Sequence, residues 1–139
     1  MEKLESTLLI VHDIVDWYNG LPEDYLGINE IIHKRRILAT NLFYLTTEVG
    51  YLGQQVEDLR RNYEDLYDDL VVQNQENNAR WKAEAIAKSS SNNSYSEYNE
   101  LKAIYTRFKS QEKSIYEVLN AMQQDISVIR KEREANRTM

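Results

Sequence analysis

The chain has 139 residues, a formal net charge of −6 and no cysteine. Its length suits one domain, and the lack of cysteine excludes disulfides, zinc–thiolate sites and cysteine nucleophiles. The acidic balance argues against general attraction to nucleic acid, because phosphate binding requires clustered lysine and arginine. One proline and four glycines favour long uninterrupted helices, so we predict an all-α fold.

The first predicted element is an N-terminal helix over residues 1–19. Its apolar residues recur at helical spacing: Leu4, Leu8, Val11, Val15 and Tyr18. This apolar run is too short, and its flanks too acidic, for a secretory signal or a membrane span. A loop is predicted over 20–28, which holds the only proline and two of the four glycines. We therefore expect a soluble protein of the cytoplasm, without a membrane partner.

A long helix is predicted over residues 29–88. From Ile28 to Leu70, apolar residues recur at alternating steps of three and four, interrupted at Arg35. An average step of 3.5 residues is typical of a coiled-coil seam. The seam positions become polar after Leu70, so this helix either continues or breaks near 73–78. Gly50 and Gly53 indicate either the close approach of another helix, a hinge next to Tyr51, or two tolerated surface positions with some bending of the helix.

A polar turn over 89–94 is predicted to precede a return helix over 95–135. The return helix carries a second apolar stripe, interrupted at Glu112: Tyr98, Leu101, Tyr105, Phe108, Ile115, Leu119, Met122, Ile126 and Ile129. Two such stripes cover each other most economically as an antiparallel pair. We therefore expect a single helical domain over 1–139, built as a long antiparallel helical hairpin, or coiled coil, with an extra N-terminal helix.

An acidic segment in the long helix is the first candidate partner-binding site. Its carboxylates are Glu57, Asp58, Glu64, Asp65, Asp68 and Asp69. They would mimic nucleic-acid phosphates and occupy a basic groove on a nuclease or other DNA-binding protein. The commoner explanation of such a run is a solvated helix face. Three aromatic residues near helix ends or breaks are candidate interface anchors: Trp17, Tyr18 and Trp81.

Two basic groups are candidate nucleic-acid contacts. They are Lys34, Arg35 and Arg36 in the long helix, and Arg130, Lys131 and Arg133 near the C-terminus. In an antiparallel hairpin the two groups approach each other. Cations near a helix C-terminus also complement its dipole without any partner. We favour that explanation over binding of nucleic acid.

The sequence holds no motif that favours an enzyme. It lacks a glycine-rich phosphate loop and a nucleophile elbow. His12, with Asp13 and Asp16, offers a candidate pair of ligands on one helical turn, but neither His33 nor any other residue adds a third ligand at a recognisable spacing. We therefore predict no catalytic residues, no cofactor and no metal site.

Three segments from His33 onward carry a family resemblance, and they read HKRRILATNLFYLTTEVGYL, ARWKAEAIAKSS and YSEYNELKAIYTRFKSQEKSIYEVLNAMQQDISVIRKE. They resemble a loose group of small phage-encoded helical-hairpin proteins, many of them without assigned function. The resemblance covers about the last three quarters of the chain. It implies a viral origin, and hence the host cytoplasm, and it transfers no catalytic residue.

These observations lead to three hypotheses. The first is a non-enzymatic phage accessory protein that binds a host or phage protein, most concretely as an inhibitor of a host defence or nucleic-acid-processing enzyme. The second is an accessory factor in phage DNA replication or recombination that contacts single-stranded DNA. The third is a structural or scaffold coiled-coil component of the virion. A homodimer, a higher oligomer or a partner would bury the apolar residues outside the seam: Ile32, Phe43, Tyr44, Tyr51 and Tyr67.

Overall fold

The computed structural model describes residues 2–137, and within that range it contains helices and no strand. In chain order the helices are α1 (Glu2–Asn19), α2 (Ile28–Gln75), α3 (Arg80–Ser90) and α4 (Asn92–Arg137). The all-α prediction is confirmed. The predicted loop between the first two helices lies at residues 20–27. Backbone hydrogen bonds between residues close in sequence stabilise it, such as the bond from Tyr25 N to the Pro22 carbonyl at 3.1 Å.

The predicted long helix is divided at residues 76–79. The Asn74 side chain donates to the Leu70 carbonyl (2.7 Å), and the Asn78 side chain donates to the Asn74 carbonyl (3.0 Å). Asparagine side chains compete with the helix for backbone partners in this way. The seam is polar here as well, so packing does not offset the poor helix propensity. The helix over 29–88 is therefore two helices, α2 and α3.

The polar run 89–94 does not form the predicted turn. Its residues are helical except Ser91, which alone separates α3 from α4. Ser91 is buried, its hydroxyl donates to the Ala87 carbonyl (2.7 Å), and its own carbonyl accepts from Tyr95 N (3.0 Å). Such bonding of a serine hydroxyl to the carbonyl four residues earlier often bends a helix, in agreement with the one-residue break at Ser91. The return helix accordingly begins at Asn92 and reaches Arg137, three residues earlier and two later than predicted.

The helices contribute to two compact units. Unit 1 comprises the described residues of Met1–Glu48 and Lys109–Met139, and unit 2 comprises Val49–Phe108. Unit 1 therefore contains α1, the first part of α2 and the last part of α4. Unit 2 contains the remainder of α2 and α4 together with α3.

Unit 1 has an apolar core drawn from three helical segments. Its buried apolar residues are Leu4, Val11, Ile14, Ile28, Ile31, Leu38, Leu42, Leu45, Ile115, Leu119, Met122, Ile126 and Ile129. Arg35, where the predicted stripe is interrupted, is half-buried, and its Nε donates to the Leu119 carbonyl at 3.2 Å. This bond gives a polar side chain at a seam position a partner within the fold.

Unit 2 has a sparser core. Its buried residues are Val49, Ala83, Ala87, Ser91 and Phe108. The continuing seam of α2 is only half-buried at Leu52, Val56 and Leu59, and Leu66 is 38% exposed. Since the stabilisation from apolar residues scales with the area they remove from water, each of these positions contributes less than its counterpart in unit 1.

The two glycines within α2 have different surroundings. A Cβ atom on Gly53 would lie 3.0 Å from Cε2 of Tyr105, whereas one on Gly50 would meet nothing within 4 Å. Close approach of another helix therefore accounts for Gly53. Gly50 is an exposed position.

Candidate functional site

The acidic segment lies on one side of α2. At 100° per residue, its carboxylates fall within an arc of about 140° on the side opposite the seam. Five of the six are exposed, and Glu57 is half-buried. The segment spans about 18 Å along the helix, at 1.5 Å per residue. We call the surface of residues 57–69 on this side the acidic face.

Arginines balance the first half of the acidic face. Arg60 is ion-paired with Glu57 and lies 2.8 Å from Glu64, and Arg61 lies 3.7 Å from Glu57. The hydrogen bond from Arg60 lowers the pKa of Glu57. The carboxylates at 57 and 64 therefore already have cationic partners.

The second half of the acidic face has no such balance. Within residues 2–137, no basic side chain pairs with Asp65, Asp68 or Asp69, all of which are exposed. Asp65 lies three residues from Asp68 and four from Asp69, and Glu64 lies four residues from Asp68, so like charges are neighbours on the helix surface. Each such pair destabilises the helix by roughly 0.2–0.5 kcal/mol. Asp58, by contrast, accepts a hydrogen bond from Gln54 at 3.1 Å.

Two of the predicted aromatic anchors make internal contacts in unit 1. The Trp17 ring meets Tyr25 edge-on, with centroids 6.2 Å apart, and Lys34 Nζ lies 5.7 Å from the Trp17 ring centroid. The Tyr18 hydroxyl donates to the Asp125 carboxylate. Burial, followed by this hydrogen bond, raises the pKa of Tyr18. These two aromatic residues are half-buried and contribute to the packing of unit 1.

Trp81 is the predicted aromatic anchor with the most open surroundings. It lies in the first turn of α3, in unit 2, and is 73% exposed. The adjacent Arg80 pairs with Glu84 at 3.0 Å, four residues later. An indole with this exposure leaves a large apolar area in water.

The six predicted nucleic-acid contacts divide into engaged and free side chains. Lys34 lies over Trp17, Arg35 binds the Leu119 carbonyl, and Arg133 Nη2 lies 3.5 Å from the Leu26 carbonyl. The remaining three are exposed: Arg36, Arg130 and Lys131. Among the described residues, no hydrogen bond or ring contact joins the 34–36 group to the 130–133 group. Three of the six predicted nucleic-acid contacts thus make contacts within unit 1 instead.

Sequence reasoning missed an aromatic cluster in unit 2. The Tyr63 ring lies 5.0 Å from that of Tyr95 and 6.3 Å from that of Tyr67, centroid to centroid. Burial, followed by the neighbouring Tyr95, raises the pKa of Tyr63. Tyr95 stays 44% exposed. The seam spacing placed Tyr63 at an interior position, but no sequence signal paired it with Tyr95.

Comparison with protein-family models, curated proteins and solved structures finds no match to this chain. Among residues 2–137, no cluster of three or more histidine, aspartate or glutamate side chains is arranged to hold a metal ion. In the same range, no helix is long and apolar enough to cross a bilayer.

Proposed function

We propose that this chain is a non-enzymatic, phage-encoded accessory protein that binds a basic surface of another protein through its acidic face. The partner class is a nucleic-acid-processing or defence enzyme of the host, whose phosphate-binding groove the carboxylates would occupy. The phage origin rests on the resemblance of the segments from His33 onward. Occupying such a groove requires exposed negative charge and no reactive group.

The observation that carries the proposal is the uncompensated charge at Asp65, Asp68 and Asp69. A helix face that only needs to be solvated is served equally well by alternating charges, as Arg60 provides between Glu57 and Glu64. The aspartates instead repel one another and weaken the helix. An unfavourable charge arrangement of this kind is typical of a functional surface, which trades stability for recognition.

We further propose that α2 and α4 run antiparallel within each unit, as a helical hairpin requires. In unit 2, Gly53 lies against Tyr105, and Tyr63 lies against Tyr95. An advance of ten residues along α2 thus corresponds to a retreat of ten along α4. This matched step supports antiparallel packing with one register.

Contacts in unit 1 support the same direction. The Leu26 carbonyl, just before α2, accepts from Arg133, and nine residues later Arg35 donates to the Leu119 carbonyl. The partner on α4 again moves toward the N-terminus as α2 proceeds. The seams of both helices would then face each other in each unit, as the alternating spacing predicts.

The proposed binding is tested by affinity capture from bacterial lysate with three forms of the chain. They are the parent chain, D65N/D68N/D69N, and the control D13N/D16N/E117Q, which removes three exposed charges outside the acidic face. We expect the parent and the control to retain the same nucleic-acid-binding protein, released by salt, and the triple asparagine variant to lose it. Equal retention by all three forms would contradict the proposal.

A further inference from the structure

Unit 1 contains a cleft between the loop 20–27 and one side of α4, with a volume of about 740 Å³. Four carboxylates line it: Glu23, Asp24, Asp125 and Glu132. Its apolar lining includes Leu26 and Val128, which are 59% and 53% exposed. This volume lies within the usual range for ligand-binding clefts, which is about 300–1,000 Å³.

The loop wall of the cleft is held by contacts of Tyr25. Its ring meets the edge of Trp17 at 6.2 Å, and its hydroxyl donates to the Glu30 carboxylate. The ring lies over Gly27, where any Cβ atom would collide with it. A side chain at position 27 would therefore displace the end of the Tyr25 side chain from this position. These contacts give the loop wall a defined position without any ligand.

The opposite wall is a strip of α4 that combines charge with apolar surface. Asp125, Val128, Ile129 and Glu132 follow at steps of three, one and three, so they share one side of the helix. Asp125 is oriented by the hydrogen bond from Tyr18. The two walls thus bring carboxylates from separate segments of the chain to the same cleft.

The charge in this cleft is largely unpaired. Within residues 2–137, neither Glu23, Asp24 nor Glu132 has a basic partner. No basic side chain of the described residues lines the cleft, although Arg133 binds the carbonyl of Leu26, one of the lining residues. The side chains that line the cleft therefore carry net negative charge, and a cation that also covers apolar surface complements them.

We propose that this cleft binds a basic peptide segment of a partner protein, with an arginine or lysine side chain among the carboxylates and an aliphatic side chain against Leu26 and Val128. The volume exceeds that of a single amino-acid side chain, which favours a peptide over an isolated cation. The cleft lies in unit 1 and the acidic face in unit 2, so this inference does not rest on the proposed function.

The proposal is tested by titrating an acetylated, amidated hexapeptide, Ser-Arg-Leu-Arg-Leu-Ser, into the Trp81→Phe chain. Trp17, in contact with Tyr25, is then the only tryptophan and reports on the loop wall. We expect saturable binding, with amide NMR shifts concentrated at residues 20–27 and 125–132. The same peptide with citrulline in place of both arginines is expected to bind at least tenfold more weakly. Equal binding of the two peptides, or no saturable binding, would overturn the proposal.

Two paired variants separate the cleft from general charge attraction. E23Q/E132Q removes two cleft carboxylates that have no internal partner, and E5Q/E117Q removes two exposed carboxylates elsewhere in unit 1. We expect about a five- to tenfold loss of peptide affinity for the first pair and less than a twofold loss for the second. Equal losses would overturn the assignment of the site. Spermidine that binds as tightly as the peptide would overturn the assignment to a peptide.

Discussion

The hydroxyl of Tyr18, near the end of α1, donates a hydrogen bond to the carboxylate of Asp125 on α4. This bond joins two helices through residues that lie 107 positions apart in the chain. Such a contact stabilises the fold against both local fraying of α1 and global unfolding. Its contribution can be measured separately from packing, because phenylalanine preserves the ring.

Replacing Tyr18 by phenylalanine is expected to lower the free energy of unfolding by about 1 kcal/mol, the usual net value of one hydrogen bond. Urea denaturation followed by circular dichroism measures the change. Tyr116→Phe is the matched control, because Tyr116 lies on α4, the helix that carries Asp125, is 49% exposed, and has no described hydrogen-bond partner for its hydroxyl. A loss of equal size in the control would show that the hydroxyl of Tyr18 has no special partner.

The same pair predicts a loss of stability at alkaline pH. Burial and the Asp125 carboxylate raise the pKa of Tyr18 in the folded chain, so above about pH 10 the unfolded chain ionises a tyrosine that the folded chain keeps protonated. The stabilisation is complete below that pH and is lost as the pH rises toward the folded pKa. Urea midpoints of the parent chain should therefore fall more steeply than those of Tyr18→Phe between pH 9.5 and about pH 11. Parallel curves would contradict the raised pKa.

The two glycines of α2 should respond differently to alanine. Gly50→Ala is expected to stabilise the chain by about 0.5–1 kcal/mol, the helix-propensity difference, because its Cβ meets open space. Gly53→Ala should gain distinctly less, since its Cβ presses against Tyr105. Thermal denaturation measures both changes. In a Tyr105→Ala background the gain at position 53 should rise to that at position 50, and a gain unaffected by this background would be inconsistent with the contact.

The aspartates of the acidic face are expected to cost stability. D65N/D68N/D69N should raise the free energy of unfolding by about 0.5–1 kcal/mol at low salt, because two to three like-charge pairs are removed. The gain should nearly vanish in 1 M NaCl, where the Debye length is about 3 Å. Control D13N/D16N/E117Q tests whether the effect belongs to this face or to total charge. A gain that persists at high salt, or one equal to the control, would be inconsistent with local repulsion.

The two tryptophans should differ in their access to solvent. Trp81 is 73% exposed, whereas Trp17 is half-buried against Tyr25 and beneath Lys34. Acrylamide should therefore quench the emission of Trp17→Phe, which keeps Trp81, more strongly than that of Trp81→Phe. Similar quenching constants would argue against the packing of Trp17.

The all-helical fold could be predicted from the sequence, but the helix faces and ends could be predicted only in part. In α1 the expected stripe included Leu8 and Val15, whereas the buried positions are those of Thr7 and Ile14 beside Leu4 and Val11. The buried Thr7 hydroxyl is satisfied within its own helix, because it donates to the Lys3 carbonyl at 2.8 Å. A pattern that counts only apolar residues omits such a threonine.

In the candidate sites too, contacts between residues close in sequence could be predicted, and contacts between distant residues could not. The pairing of Arg60 with Glu57 and Glu64 follows from three- and four-residue spacing and could be predicted from the sequence. The cleft of unit 1 could not, because it depends on the path of a glycine-containing loop and on residues more than 90 positions apart. Burial of Ser91 likewise depends on tertiary packing, which the polar sequence around it does not indicate.

The central claim, that the acidic face occupies a phosphate-binding groove, is tested most directly by competition. The protein captured by the parent chain is mixed with a labelled 30-base-pair duplex, and the chain is added while fluorescence anisotropy reports bound DNA. We predict that the parent chain and D13N/D16N/E117Q displace the duplex fully, and that D65N/D68N/D69N displaces it at least tenfold less effectively. A ternary complex in which the partner holds the chain and the duplex together would contradict the claim.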